Sequence, residues 1–387
     1  MLELDLNQDE VQYGTNIKLI GVGGAGGNAI DSMIDNNLKG VEFITANTNI
    51  MDLKRSKSKI TLQLGKKLTK GLGAGANPEI GKQAAEESSE DIKNYIQDAD
   101  MLFIAAGMGG GTGTGASPII AALAKEMNIL TIGIVNTPFK SEGKKRMKNA
   151  LFGVEELKKN VDTLLVVPNE KLIDVSDDMT FLNAFQKAND ILYGAVKGIT
   201  DIIHHSGYIN VDFADIQAIM KNKGSALMGI GIGEGEDRAA DAVKKAMNNP
   251  LLDNVHIENA QGVMINITTS SDFKMSEFNT ITNLVIDKTG DNGDIIYGIV
   301  IDDELENKIK VTLIATGLDS PKTIDFPTER EVADGMNEDN EEEDISATLD
   351  RIRNQDSIRI NKNSSRNPQH SRDSQMEIPA FLRKFSN

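Results

Sequence analysis

The chain has 387 residues, 39% of them hydrophobic, with no Cys and a net charge of −17, enough for two domains and tails around a large core. That acidity excludes nucleic acid as a main partner, since phosphate backbones need basic patches, and the missing Cys excludes disulfides and thiolate metal sites. No apolar run nears the roughly 20 residues of a membrane span and the acidic first ten residues are no signal peptide, so the reading is a soluble, cytoplasmic protein with no direct membrane insertion.

Residues 17–21 form a short apolar strand that enters Gly21-Val-Gly-Gly-Ala-Gly-Gly-Asn28 and then a helix over 29–38. Gly21, Gly23 and Gly26 satisfy G-x-G-x-x-G, the fingerprint of a dinucleotide fold. That reading wants an acid at the end of the second strand, residues 41–46, where the chain has Asn47-Thr-Asn49. A nicotinamide-dependent oxidoreductase therefore stays as the alternative. Gly71-Leu-Gly-Ala-Gly-Ala-Asn-Pro-Glu79 is a second glycine stretch, leading to a helix over 80–96 with Pro78 suited to its first turn.

Residues 101–106 read as a buried strand, which breaks into Gly109-Gly-Gly-Thr-Gly-Thr-Gly115 ahead of a strong helix. Strand, glycine loop and helix N-terminus together make an anion site. Residues 101–124 hold no charged side chain. A phosphate there would be held by amides and by the hydroxyls of Thr112 and Thr114, with a metal ion as countercharge. The Gly-Lys-Ser/Thr ending of a Walker loop is missing.

A strand over 130–135 leads to Pro138, Phe139, Glu142, Gly143 and Arg146. Glu142 and Arg146 lie four apart, the spacing of one helix face, and by themselves read as a surface ion pair. A strand over 163–167 and a long helix over 181–205 follow, the helix carrying Phe185 and Asn189 four apart. Phe185 alone would be read as core. His204 and His205, at the helix C-terminus, read as capping. Alternating strands and helices predict a parallel sheet, with every glycine loop at a strand's C-terminal end, where such folds bind ligands. Asn210, Asp212 and Asp215 then precede a helix over 216–221, with Asp212 as its N-cap and Asp215 a first-turn acid. A smaller α+β region follows: strands at 226–231, 263–268, 295–301 and 310–315, helices at 238–247 and 276–287. From about residue 328 periodicity fails. An acidic block and an Asn/Ser/Arg-rich stretch read as disorder, before the apolar Glu377-Ile-Pro-Ala-Phe-Leu-Arg-Lys384 returns as a docking peptide.

The heptapeptide at 109–115 resembles the signature of the tubulin/FtsZ superfamily of GTPases. The family's P-F-x-x-E-G-x-x-R pattern matches at Pro138, Phe139, Glu142, Gly143 and Arg146, and N-x-D-x-x-D at Asn210, Asp212 and Asp215. The resemblance covers residues 16–317. It implies a Rossmann-like α/β GTPase domain (16–180) after a flexible segment (1–15), a central helix (181–207), an α+β C-terminal domain (208–319), a disordered linker (320–375) and a docking peptide (376–387). It implies GTP/GDP and Mg2+ as cofactors, held by Gly23, Gly24, Ala25, Gly26, Gly27, Asn28, Gly109, Gly110, Gly111, Thr112, Gly113, Thr114, Glu142, Arg146, Phe185 and Asn189, with no metal ligand assigned. Phe185 would stack on guanine, and Asn28 and Asn189 would meet it. Asn210, Asp212 and Asp215 would be catalytic in the site of the next subunit of a head-to-tail homopolymer at the mid-cell division site. The tail peptide would bind membrane-tethering division proteins such as FtsA. The family usually has Asp where this chain has Asn49. A non-hydrolysing filament protein of the same fold is the other alternative.

Overall fold

A computed structural model describes residues 14–173, 180–204, 211–249, 257, 260–289 and 293–318. Asn210, His205, the linker and the docking peptide lie outside the described residues.

The strands are β1 (Ile17–Val22), β2 (Glu42–Asn47), β3 (Ile60–Gln63), β4 (Met101–Gly107), β5 (Leu130–Thr137), β6 (Thr163–Pro168), β7 (Gly224–Glu234), β8 (Gly262–Thr269), β9 (Asp294–Ile301) and β10 (Lys308–Thr316). They form one sheet in the order β3-β2-β1-β4-β5-β6-β7-β10-β8-β9. From β3 to β6 every pairing is parallel. β7 extends the parallel run through Thr163↔Gly224, Leu164↔Ser225 and Leu165↔Ala226. β10 lies antiparallel between β7 and β8, and β9 is parallel to β8. The predicted α+β half thus continues the sheet of the first half.

The helices are α1 (Gly23–Asp35), α2 (Ile50–Arg55), α3 (Lys66–Thr69), α4 (Pro78–Glu87), α5 (Ser89–Ile96), α6 (Thr112–Glu126), α7 (Lys144–Lys158), α8 (Glu170–Ile173), α9 (Phe181–His204), α10 (Phe213–Met220), α11 (Arg238–Met247) and α12 (Met275–Thr289). β1 and β5 are buried along their whole length, as a parallel sheet covered on both faces requires. α9 is the shared spine. Its Leu192, Val196, Ile199 and Ile202 pack in one cluster with Phe103 of β4, Met264 of β8 and Ile314 of β10.

Four expectations need correction. α1 and α6 start at Gly23 and Thr112, so much of each glycine motif is helix, not loop. A Cβ at Gly26 would sit 2.4 Å from the Ala105 carbonyl; these glycines let helix and strand backbones touch. The helix expected over 80–96 breaks at Ser88, whose Oγ accepts the Gly65 N–H at 3.0 Å. The glycine stretch at 71–77 follows the short helix α3, not a strand. Glu142 and Arg146 share no helix face, because Gly143 at φ +101° separates the 3-10 turn Lys140–Glu142 from α7.

Candidate functional site

A cavity of about 340 Å³ opens beyond the C-terminal ends of β4, β5 and β6. The first turns of α1 contribute Ala25 and Asn28; the end of β4, Gly107 and Met108; the end of β5, Asn136, Thr137 and Pro138. Glu142 and Arg146, Asn169 after β6, and Leu182, Phe185 and Asn189 of α9 complete the wall.

On one side the first turns of α1 and α6 lie against each other. A Cβ at Gly23 would be 2.9 Å from the Gly113 N, and one at Gly113 would be 2.6 Å from the Gly107 carbonyl. The N–H groups and positive dipole ends of two long helices therefore converge, which favours an anion. Gly110 faces open space, with nothing within 4 Å of a Cβ built there. The two hydroxyls have local partners. Thr114 Oγ1 accepts the Gly109 N–H at 2.8 Å and is buried, and Thr112 Oγ1 bonds Thr48 Oγ1 at 2.7 Å. Thr114 thus shapes the loop, and main-chain amides are left to meet an anion. Gly24, Gly27 and Gly111 complete the expected set: Gly24 is exposed at the turn, Gly27 buried against Thr45, and Gly111 wedged against Ala74 and Asn77.

Glu142 and Arg146 pair at 3.1 Å although they belong to different elements. Glu142 also accepts the Phe139 N–H at 3.0 Å. They bring no net charge to the cavity.

On the other side Phe185 is half-buried and meets Phe139 edge to face, ring centroids 5.2 Å apart. Around it stand three amides: Asn28, Asn189 and Asn169. Asn169 was missed by motif reading. It is 2% exposed, and its Oδ1 has no hydrogen-bond partner. Buried acceptors are nearly always satisfied; Asn266 Oδ1 and Thr269 Oγ1 are unpaired too, but Asn169 is the one of the three that lines the cavity, where a ligand donor can meet it. Its position just past the end of β6 was the available signal.

The acids sit elsewhere. Asp212 caps α10, its Oδ1 accepting the Asp215 N–H at 2.9 Å, and both carboxylates are exposed. α10 is tied to the opposite end of the sheet: Thr163 at the start of β6 donates to the Met220 carbonyl, and Thr316 Oγ1 donates to the Ile219 carbonyl at 2.8 Å. Neither acid lines the cavity. His204 stands in the last turn of α9, where its Nε2 meets the Gly40 carbonyl at 2.8 Å and joins the helix to the turn before β2.

Asn49 caps α2, its Oδ1 accepting the Met51 N–H at 3.0 Å. A carboxylate stands near the first glycine turn in Asp52, whose Oδ2 lies 3.9 Å from a Cβ built at Gly24. Among the described residues no group of three or more His, Cys, Asp or Glu could hold a metal ion by itself, and no helix is long and apolar enough to cross a membrane.

The GTPase-domain model of the tubulin/FtsZ family matches residues 16–177, and the C-terminal-domain model of the FtsZ family matches residues 224–319. The cell division protein FtsZ of Buchnera aphidicola subsp. Baizongia pistaciae (strain Bp) is 42% identical over an alignment 384 positions long that covers 97% of this chain and 98% of that protein. This chain belongs to the FtsZ family. It is a GTPase of the cell-division cytoskeleton, and the oxidoreductase alternative falls. An empty FtsZ dimer from M. jannaschii has 44% sequence identity and a TM-score of 0.76 over 80% of this chain and 90% of that one. CetZ2 from Haloferax volcanii, solved as a GTPγS-bound protofilament, shares the fold at 20% identity, with a TM-score of 0.70 over 83% of this chain and 98% of its own.

Proposed function

We propose that this FtsZ-family chain binds GTP in the cavity beyond β4, β5 and β6 and hydrolyses it only where a second copy docks head to tail. The observation that carries this reading is the separation of parts. The cavity lies at one end of the sheet and the exposed acids of α10 are fixed to the other. A carboxylate on a copy stacked above can reach a γ-phosphate that its own copy's acids cannot. Such a contact is heterologous and repeats into a filament.

In this reading the first turns of α1 and α6 bind the phosphates, Arg146 and Glu142 flank the ribose side, and Phe185 stacks on the base. Asn28, Asn169 and Asn189 read the guanine edge, and an adenine would leave those amides unpaired. Asp212 and Asp215 of the next copy accept hydrogen bonds from the attacking water and orient it, and Asn210, outside the described residues, is the third catalytic residue of the motif. The work is placement and electrostatics. Mg2+ fits, because a cation would offset the repulsion between bound phosphate and the Asp52 carboxylate, which stands near the first turn of α1. Asp52 and Thr112 would stand on its protein side, and the ion offsets phosphate charge. The exposed apolar side chains Ile50, Met51 and Leu72, next to the glycine stretch at 71–77, are surface a docked copy would cover. Domains divide at 16–180 and 208–319 across α9. The peptide at 377–384 recruits a membrane tether such as FtsA at mid-cell.

The test is complementation. Asp215→Ala should bind GTP normally and release phosphate slowly; Gly111→Val should not bind GTP. Their mixture should release phosphate faster than the sum of the two, because the second variant's acids complete the first one's site. No gain, in filaments shown by sedimentation to contain both, refutes completion in trans.

A further inference from the structure

The site has a charge problem. Nothing charged lies on the phosphate motif from residue 101 to 124, and the cavity's Glu142 and Arg146 cancel one another at 3.1 Å. The chain carries −17 overall, so it repels the polyphosphate it must collect. One patch runs against that balance. The 3-10 turn and first turns of α7 carry Lys140, Lys144, Lys145, Arg146 and Lys148, with no acid in the first turn of the helix. Cations at a helix N-terminus oppose the helix dipole, so they sit where local stability disfavours them.

The placement is specific. Arg146 is pressed on the phosphate loop, its carbonyl oxygen 2.7 Å from a Cβ built at Gly109. One turn on, Asn149 Nδ2 reaches the Ala76 carbonyl at 3.5 Å, on the glycine stretch that flanks Gly111. Lys145 and Lys148 are exposed and directly precede Arg146 and Asn149 in the helix. Facing acids are sparse: Glu170 lies 3.7 Å from Lys140, and Glu142 is held by Arg146.

We propose that Lys145 and Lys148 form a cationic collar that steers guanine nucleotide into the cavity and sets its association rate, without holding the bound ligand. The proposal rests on the cavity being the nucleotide site. Steering acts over a Debye length and is lost in salt, whereas contact with bound phosphate would slow dissociation.

The experiment is stopped-flow binding of a fluorescent GDP analogue to the full chain, below the concentration for assembly. For the double variant Lys145→Glu/Lys148→Glu, association should fall about 5- to 20-fold at about 20 mM salt and by less than about twofold at about 500 mM. Dissociation should stay within twofold of the unmodified chain, and Lys145→Arg/Lys148→Arg should associate normally. Association unchanged at low salt, or reduced equally at both salts, overturns the collar. So does a rise in dissociation that matches the loss of affinity. If the double variant fails to fold, the single Gln variants at these positions carry the same comparison. Phe185→Ala is the control for the cavity. If it leaves dissociation unchanged, the site reading fails; if it speeds dissociation while the collar variant shows no salt effect, only the collar fails.

Discussion

Asn169 offers a prediction with two signs. Its side chain is buried at 2% exposure with an acceptor that meets no donor. An unmet buried acceptor costs about 1–3 kcal/mol; in the proposed site a guanine N–H would relieve that cost. Asn169→Ala removes the orphan together with a small volume, so the two effects on the empty protein nearly offset, within about 1 kcal/mol. The bound state loses the full interaction, and the GTP dissociation constant should rise by about 5- to 150-fold, or 1–3 kcal/mol. Inosine triphosphate, which lacks the 2-amino group, separates the readout further. If Oδ1 meets that amine, the preference for GTP over the inosine nucleotide should shrink in the variant. Isothermal titration gives the affinities and denaturant unfolding of the nucleotide-free chain gives the stability. A variant that binds GTP like the parent but unfolds about 2 kcal/mol more easily would make Asn169 a structural residue and refute the reasoning.

Two further outcomes concern the fold. Gly110→Ala should leave unfolding nearly unchanged, whereas Gly111→Ala, whose Cβ would lie 2.7 Å from Ala74 Cβ and 2.9 Å from Asn77 N, should cost about 1–3 kcal/mol by overpacking; equal costs in denaturant titration would contradict this packing. Arg238, 4% exposed, donates to Glu277 at 2.6 and 3.1 Å, and that hydrogen bond holds the Glu277 carboxyl below its ordinary range. A depressed carboxyl stabilises the fold above the unfolded pKa of about 4.3 and loses that contribution as pH falls through the lower folded value. Glu277→Gln should therefore be destabilised most near neutral pH and approach the parent below about pH 4. A deficit that grows on acidification would reverse the assigned sign.

How much of this was legible depended on the kind of signal. β4, β5 and β6 are continuous apolar runs, and α11 has a clean helical period, so its bounds at Arg238–Met247 were readable. Glycine misled where backbone contact, not turning, required it. Gly26 and Gly113 read as loop but sit in helices pressed on other backbone. The three-residue junction of β6 with β7 joins segments about 60 residues apart, and nothing local records such a pairing. Of the candidate residues, Ala25, Asn28, Glu142, Arg146, Phe185 and Asn189 line the cavity; they were legible because they belong to spaced motifs, whereas the candidate glycines lie outside its lining and Gly107, the one glycine of the lining, belongs to no such motif. Asn169 is one polar residue after Pro168, and only its place just past the end of β6 could have marked it. Ser88 ended a helix through a bond to Gly65, 23 residues earlier in the chain, which periodicity cannot see.

The continuous sheet also constrains how hydrolysis is coupled to assembly. β6 has six residues, and at about 3.3 Å each it spans roughly 20 Å. The acids of α10 are anchored at its start and the cavity lies past its end. α9 buries side chains against strands of both halves, so a copy cannot fold one end onto the other without breaking its core. Within one copy the distance between phosphate and acid is therefore set by the fold. What can vary is the docking of the next copy. In the head-to-tail filament proposed above, n copies have n − 1 junctions, and the two ends would differ: one would show an open cavity, the other unused acids. Phosphate release per copy should then rise with filament length toward a plateau and vanish for isolated copies, while nucleotide binding stays independent of length. Hydrolysis that scaled with total protein at concentrations below assembly would mean that the acids reach their own cavity, which this sheet forbids.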